Sequence, residues 1–265
     1  MRENIQLKTS FEIAIQRRAC VIVEELFRNL KRLMLPGVTT REIDAFCENF
    51  LKEHGAVSAL KGYKGFPGSV CISVNQVVAH GVPNKYKLKK YDIVTVDVTL
   101  GIDGWHCDGA WTFVVGEVNE NAMKLIKASW QATMAGIGAS IAGNRMGDIG
   151  YAVERRVRKY GCNILKDFAG HGIGLNMHED PVVFHFGEPG TGIPVVPGMV
   201  FTIEPVVCLG KAETRILKDG WTMVTKDGSL SAQFEHTVAV FGKKTEVLTL
   251  SGKDSFKAVD FPPFF

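Results

Sequence analysis

The chain has 265 residues, of which 46% are hydrophobic and 22% charged, a composition that provides a substantial core and excludes a disordered chain. Its 31 basic and 28 acidic residues leave a formal charge of +3, which excludes the overall basicity of a dedicated nucleic-acid binder. Six cysteines, at positions 20, 47, 71, 107, 162 and 208, form no CxxC pair. We therefore expect reduced thiols rather than a disulfide framework or a structural zinc site.

The N-terminal segment, MRENIQLKTSFEIAIQRR, lacks the continuous apolar stretch of a secretory signal. Nowhere does the sequence approach the ~20 consecutive apolar residues of a membrane span. We expect a soluble, unexported protein with a cytoplasmic location.

Two segments share a helical pattern that ends at a glycine: one covers residues 39–54 and stops at Gly55, and the other begins after Gly143 and stops at Gly161. Residues 39–54 begin with Thr39 and Glu42, whose spacing is that of a capping box. Further helical stretches, at about 10–34 and 119–140, precede the two segments. Three positions recur at a constant offset of 106 residues, so that Gly37, Ile43 and Gly55 match Gly143, Ile149 and Gly161. The sequence thus predicts a duplicated half-domain, with a functional site at the junction of the halves.

A β-hairpin is predicted for residues 93–100 and 109–115, with the Asp-Gly dipeptide 103–104 as its turn. Opposite positions are then Val94 and Phe113, Val96 and Trp111, and Thr99 and Asp108. One face of this hairpin is apolar, and the other carries Asp97 and Asp108 as diagonal neighbours, ~7–8 Å apart. The lysines typical of a solvated strand face are missing, so a cation shared by the two acids explains them better.

Two further predicted strands, 199–205 and 232–240, also carry acids at the ends of apolar runs. Glu204 shares a face with Thr202, and Glu235 shares one with Gln233 and Thr237. A single acid of this kind is usually solvated. Four acids in one pattern favour convergence on a common site.

Convergence of the four acids with His171 would raise their pKa values by mutual repulsion unless cations bound among them. Carboxylates with one imidazole suit Mn²⁺, Fe²⁺ or Co²⁺ and tolerate Zn²⁺. Two such ions ~3.5–4 Å apart can share a water that becomes hydroxide near neutral pH and attacks a carbonyl. The predicted reaction class is therefore hydrolysis of a peptide or a phosphoester.

The histidines fall into two groups. His80 in VVAHGVP and His171 in FAGHGIG have small neighbours that allow close approach of a ligand, and His178 follows His171 in the same stretch. The remaining four are interpreted as ordinary core or surface groups: His54, His106, His185 and His236.

At these residues the chain resembles the methionine aminopeptidases of the short bacterial type, in peptidase family M24. The matching stretches are GYKGFPGSVCISVNQVVAHGVP, DIVTVDVTLGIDGWHCD, GHGIGLNMHEDP, PGMVFTIEP and KDGWTMVTKDGSLSAQFEHT. The resemblance runs from about residue 5 to about residue 250. It implies an α+β pita-bread fold, with a curved, mostly antiparallel sheet flanked by helices. Residues 1–265 would form one catalytic domain with pseudo-symmetric halves at about 10–115 and 116–250 and a C-terminal tail at 251–265.

The resemblance also implies two divalent ions (Co, Mn, Fe or Zn). Their ligands would be Asp97, Asp108, His171, Glu204 and Glu235, with Asp108 and Glu235 shared by both ions. Glu204 would also transfer the proton of the attacking water, His80 would contact the scissile amide, and His178 would stabilise the carbonyl oxygen. The methionine pocket would consist of Tyr63, Phe66, Cys71, Met177 and Trp221, with Leu60 near its rim. Leu60, Phe66 and Met177 depart from the common bacterial cysteine, tyrosine and phenylalanine, which leaves the pocket's shape open.

The activity implied is co-translational removal of the initiator methionine from nascent polypeptides with a small second residue. The implied form is a monomer without membrane contact. A basic loop with Lys211, Lys218 and Lys226 suggests transient contact with the ribosome, and ordinary solvated lysines are the alternative. Two rival functions remain: a proline-directed peptidase of the prolidase or aminopeptidase P kind, and a non-catalytic pita-bread protein that binds RNA or protein.

Overall fold

The computed structural model describes residues 4–250, so the tail expected at 251–265 lies outside the described residues. The described chain forms four α-helices: α1 (Ser10–Leu30), α2 (Thr40–Glu53), α3 (Glu120–Ala139) and α4 (Met146–Lys159). Short 3₁₀ helices follow at Lys31–Leu33 and Tyr63–Gly65. No helix within residues 4–250 is long and apolar enough to cross a membrane.

Fifteen strands follow the two pairs of helices along residues 4–250. The first half contributes β1 (Val57–Ser58), β2 (Cys71–Val74), β3 (Val77–Ala79), β4 (Ile93–Ile102) and β5 (Trp105–Val114). After α4 come β6 (Asn163–Ile164), β7 (Ala169–Gly172), β8 (Glu179–Phe184), β9 (Val200–Ile203) and β10 (Val206–Cys208). The last five are β11 (Thr214–Ile216), β12 (Met223–Thr225), β13 (Ser231–Gln233), β14 (Glu235–Val240) and β15 (Thr245–Val247).

One nine-stranded sheet dominates the fold. Its path is β1-β4-β5-β14-β9-β7-β8, with β2 also paired to β4 and β15 to β14. Two three-stranded sheets, β13-β10-β6 and β11-β12-β3, lie beside it. Every named strand pair is antiparallel. The predicted α+β class with a curved antiparallel sheet is therefore confirmed.

The repeated helical segments adopt matching local conformations. Thr39 caps α2 through the predicted capping box: its hydroxyl accepts from the Glu42 N–H at 3.2 Å, and the Glu42 carboxylate accepts from the Thr39 N–H at 2.7 Å. The glycines before α2 and α4 have φ values of 96° and 99°, and those after them 68° and 63°, angles that glycine adopts at little cost. The central isoleucines, Ile43 and Ile149, are both fully buried.

The hairpin formed by β4 and β5 has the register predicted from its turn. Val96 pairs with Trp111, and Thr99 pairs with Asp108. The turn residues Asp103 and Gly104 have positive φ values of 51° and 81°, the conformation that two-residue hairpin turns require. This register puts Asp97 and Asp108 on the same face as diagonal neighbours.

The predicted strand 232–240 is wrong in one respect, because the structure divides it at Phe234. β13 pairs with β10 in a small sheet, whereas β14 pairs with β5 and β9 in the large one. The Thr112 hydroxyl bridges the break: it donates to the Gln233 carbonyl at 2.7 Å and accepts from the Gln233 N–H at 3.1 Å. The chain thus changes sheets while both backbone groups of Gln233 keep a hydrogen-bond partner.

The core lies between the helices and the apolar face of the large sheet. Trp111 of β5 packs against Trp130 of α3 and against Phe234, with ring centroids 5.4 and 5.2 Å apart. His236 packs beside the same tryptophans and is fully buried. All six cysteines are buried and unpaired with one another, as the sequence predicts. The opposite face of the sheet is thereby left for polar groups.

Candidate active site

Three neighbouring strands place two acids in one row across the large sheet. In the pairing of β4 with β5 and of β5 with β14, Ala110 lies opposite both Asp97 and Glu235. Cys71 of β2 extends the row on the other side of Asp97. Residues in such a row point to the same face. Because Ala110 ends at its β-carbon, the two flanking carboxylates can reach toward the same point.

The other acids approach this point from neighbouring strands. Asp108 follows the row diagonally on β5, and Glu204 comes directly after β9. His171 on β7 lies between them: its Nε2 is 3.7 Å from Asp108 Oδ2 and 3.6 Å from Glu204 Oε1. Ligand atoms of Asp108, His171 and Glu235 all lie within 4.8 Å of one another. The sheet thus brings together the four acids and the imidazole that the sequence singled out.

Burial raises the pKa of every acid in this cluster, and the charges of neighbouring acids raise it further for Asp108, Glu204 and Glu235. Burial raises the pKa of Asp97 to about 7 and that of Glu204 to about 8. Burial, together with the charges of the neighbouring acids, raises the pKa values of Asp108 and Glu235 well above their usual ranges. Burial lowers the pKa of His171 to about 4, so the ring is neutral near pH 7. A neutral imidazole among acids can ligate a cation but cannot balance their charge.

The cluster fits divalent cations on two observations. Asp108 Oδ1 and Glu235 Oε1 are buried yet have no hydrogen-bond partner, although buried polar atoms are nearly always paired. The donor set is also rich in oxygen, with one neutral imidazole and no thiolate, which suits a catalytic ion better than a structural zinc.

Two further histidines stand beside the cluster. The His178 ring is 4.4 Å from the His171 ring and 6.0 Å from the Tyr63 ring, measured between centroids. His80 adopts a positive φ of 53°, a conformation that costs energy outside glycine. Its ring lies 6.4 Å from that of Trp221. The next residue, Gly81, packs directly on the Ile72 carbonyl, where any β-carbon would collide. The backbone around His80 is therefore tightly fixed.

All the residues predicted for the site border one cavity of about 800 Å³. The acids and His171 lie along it with His80 and His178, and the predicted pocket residues complete the set: Leu60, Tyr63, Phe66, Cys71, Met177 and Trp221. Phe66 packs edge-on against Trp221 with centroids 5.2 Å apart. Phe66, Cys71 and Met177 are 3%, 3% and 9% exposed. One end of the cavity is therefore apolar and the other acidic.

Sequence reasoning missed several groups that hold the site in place. His185, interpreted as an ordinary histidine, is 1% exposed, and its Nε2 accepts from the Glu204 N–H at 3.1 Å. Burial lowers the pKa of His185 to about 3, which keeps that nitrogen available as an acceptor. The Thr202 hydroxyl donates to Glu204 Oε1 at 2.7 Å; its place on the same face as Glu204 was the only signal available.

A buried ion pair fixes the loop that carries Met177 and His178. Lys8 Nζ lies 2.5 Å from Glu179 Oε2, and the two side chains are only 5% and 6% exposed. The other oxygen of Glu179 accepts from the Asn176 N–H at 3.0 Å. Gly174 lies against this pair: a β-carbon there would be 2.6 Å from Lys8 Cε. The segment before α1 thus supports a wall of the cavity.

The chain belongs to metallopeptidase family M24, whose family model matches residues 14–241. It is 45% identical over 246 residues to a methionine aminopeptidase of Clostridium perfringens, an alignment that covers 93% of this chain and 99% of that one. The crystal structure of a methionine aminopeptidase from Rickettsia prowazekii superposes with a TM-score of 0.91 at 40% identity, covering 93% of this chain and 100% of that one. Together with these relatives, the sheet topology confirms the pita-bread fold.

The fold is shared with more distant peptidases. The prolidase of Pyrococcus furiosus superposes with a TM-score of 0.71 at 23% identity, covering 93% of this chain but 66% of that one. At this identity the likeness concerns the fold alone. The relatives above match at higher identity and over nearly their whole length.

Proposed function

We propose that this chain is a methionine aminopeptidase, which releases the N-terminal methionine of polypeptides whose second residue is small. The observation that carries the proposal is the combination within one cavity of a buried acid cluster and an adjoining apolar pocket. The acids are suited to hold the metal ions that hydrolysis requires. The pocket is suited to bind an unbranched apolar side chain on the first residue of the substrate.

Two divalent ions fit the acid cluster, in this proposal held by Asp97, Asp108, His171, Glu204 and Glu235. When bound, they would supply a water acidic enough to attack a peptide carbonyl near neutral pH. Asp108 and Glu235 would help to hold both ions, because each has a buried oxygen without a hydrogen-bond partner and the neighbouring acids raise the pKa of each. The choice among Co, Mn, Fe and Zn depends on availability as much as on these ligands.

The proton transfers are assigned to groups that the fold holds rigidly. Glu204 accepts the proton of the attacking water and delivers it to the leaving amine; Thr202 and His185 fix its carboxylate and its backbone. The His178 ring donates a hydrogen bond to the carbonyl oxygen as negative charge develops on it. His80 contacts the scissile amide, and its constrained backbone keeps the ring at the edge of the pocket.

The methionine side chain is assigned to the apolar end of the cavity. Phe66 and Trp221 meet edge to face there, and Met177 and Cys71 supply polarisable sulfur. A thioether makes favourable contacts with aromatic edges and adapts to such a surface. Leu60 and Tyr63 complete the rim.

The test is metal-dependent release of methionine from defined peptides. Protein stripped with chelator is reloaded with Mn²⁺, Fe²⁺ or Co²⁺ and incubated with Met-Gly-Met-Met, Met-Leu or an Ala-Pro peptide. We expect release from the first alone. Asp108→Asn should abolish it, whereas Asp103→Asn, in the exposed turn of the same hairpin, should leave it intact.

Cleavage of the Ala-Pro peptide instead would favour the proline-directed rival. Ion binding without release from any peptide would favour the non-catalytic one. Release of methionine without added metal and in the presence of chelator would contradict the assignment of the acid cluster.

We also propose that the enzyme is a cytoplasmic monomer that acts on nascent chains. Three exposed lysines lie around the hairpin of β11 and β12: Lys211, Lys218 and Lys226. In this proposal they contact ribosomal RNA. Lys226 Nζ also lies 3.4 Å from Glu213 Oε2. Replacing all three with Glu should reduce co-sedimentation with ribosomes. A matched control replaces three exposed lysines on other surfaces, Lys31, Lys124 and Lys243. Equal co-sedimentation of both variants would refute the contact.

A further inference from the structure

The cavity wall formed by β7 and β8 extends beyond the acid cluster as an apolar surface. In the register of these strands, His171 lies opposite Val182, and Ala169 lies opposite Phe184. Opposite residues of an antiparallel pair share a sheet face. Ala169, Val182 and Phe184 therefore lie on the face that carries His171, and we call these three residues the β8 ledge.

The two large residues of the ledge are more exposed than the neighbouring acid cluster. The His171 side chain is 13% exposed, whereas Val182 is 45% and Phe184 is 50% exposed. The opposite face of β8 is buried, with Val183 fully enclosed. Two large apolar residues therefore lie next to one another on an open strand face that continues from the cavity.

Two residues of the ledge border the same cavity as the acids. Ala169 and Val182 both border it, together with Asp167 and Phe168. Phe184 lies one same-face step further out, ~6.6 Å along the strand, which is the length of about two residues of an extended peptide. Tyr63, which is 36% exposed, also borders the cavity.

A peptide whose first residue fills the apolar pocket must lead its remaining residues out of the cavity. Its scissile bond lies at the acid cluster, beside His171, so the residues after the second pass the strand position of Val182 and then that of Phe184. We propose that the β8 ledge is a subsite that favours apolar side chains at the third and fourth positions of the substrate. This inference rests on the proposed function and adds to it a preference beyond the second residue.

The test compares Met-Ala-Leu-Leu-Lys with Met-Ala-Ser-Ser-Lys, which have the same length and charge. For the unmodified, metal-loaded protein we expect kcat/KM to be about fivefold to tenfold higher for the leucine peptide, as partial burial of one or two apolar side chains implies. In Phe184→Ser this ratio should fall toward one. In Val182→Thr, a change that keeps the side-chain shape, it should take an intermediate value.

The matched control is Ile141→Ser, because Ile141 is 45% exposed, as Val182 is, but lies neither on β8 nor along the cavity. The ratio for this variant should equal that of the unmodified protein. If the unmodified protein released methionine from both peptides with a kcat/KM ratio near one, the proposed role of the β8 ledge would be refuted, while the proposed function would stand. A kcat/KM ratio that Phe184→Ser left unchanged would also refute the proposed role of the ledge. Release from neither peptide would overturn the proposed function itself.

Discussion

The buried ion pair between Lys8 and Glu179 allows a quantitative test of how the segment before α1 supports the site. Replacing Lys8 with Met keeps most of the apolar length of the side chain but removes its charge. Glu179 would then remain in a place where its side chain is only 6% exposed, without its cation. Breaking a buried pair in this way costs about 3–5 kcal/mol of folding free energy.

This cost corresponds to a fall in Tm of roughly 6–20 °C, because each kcal/mol shifts the Tm of a protein of this size by roughly 2–4 °C. Thermal unfolding of the metal-free protein, followed by circular dichroism, measures it without a contribution from metal binding. The kcat for methionine release should fall as well, because Glu179 holds the loop that carries Met177 and His178 through the Asn176 N–H.

The matched control is Arg17→Met, which removes the ion pair between α1 and Glu246. Those side chains are 36% and 31% exposed, so the expected cost is about 0–1 kcal/mol. The double variant Lys8→Met with Glu179→Gln should be more stable than Lys8→Met alone, because no buried charge is left unpaired. If Lys8→Met were no less stable than Arg17→Met, the reasoning from burial would be refuted.

Three further predictions follow from the acid cluster and from α3. Asp108→Asn should abolish metal-dependent activity yet raise the Tm of the metal-free protein, because it removes one buried, repelled charge. Since the folded-state pKa values of Asp97 and Glu204 are raised to about 7 and about 8, the folded protein keeps protons on these acids that the unfolded chain has lost. The buried histidines, whose pKa values are lowered, have the opposite effect only at lower pH, so metal-free stability should fall as pH rises from about 7 to about 8; denaturant titrations that showed the opposite trend in this range would contradict the shifts. Gly138→Ala should stabilise α3 by about 0.5–1 kcal/mol in the same denaturant titrations. Gly136→Ala should instead destabilise the protein by about 1–3 kcal/mol, because the added β-carbon would lie 2.8 and 2.9 Å from two buried methyl groups.

Interactions between residues that are close in sequence account for the parts of the fold that the sequence predicts well. A two-residue Asp-Gly turn fixes the register of the two strands that it connects. Every residue pair between β4 and β5 could therefore be assigned from the turn alone. Thr39 and Glu42 mark the start of α2 in the same way, since a capping box involves only four consecutive residues. Both features depend on contacts between residues that are close in sequence.

Long-range contacts account for what could not be predicted. Lys8 and Glu179 are 171 positions apart, and neither shows a local pattern that identifies its partner. The division of the strand at Phe234 depends on the Thr112 hydroxyl, which belongs to another strand 121 positions away from Gln233. The pattern of acids on the strands indicated a common site, but the distances within that site could not be predicted, because strand pairing across the whole sheet sets them.

The acid cluster itself opposes folding, and the residues around it do not remove that opposition. Ala110 lets the carboxylates of Asp97 and Glu235 reach toward the same point, and His185 stays neutral while accepting the Glu204 N–H. Neither group supplies positive charge to the acids, so the repulsion persists in the metal-free protein. Cations that bind only the folded arrangement relieve it, and their binding free energy adds to stability. The acids that destabilise the metal-free fold are therefore the source of its affinity for metal ions, and for this reason Asp108→Asn should change stability and activity in opposite directions.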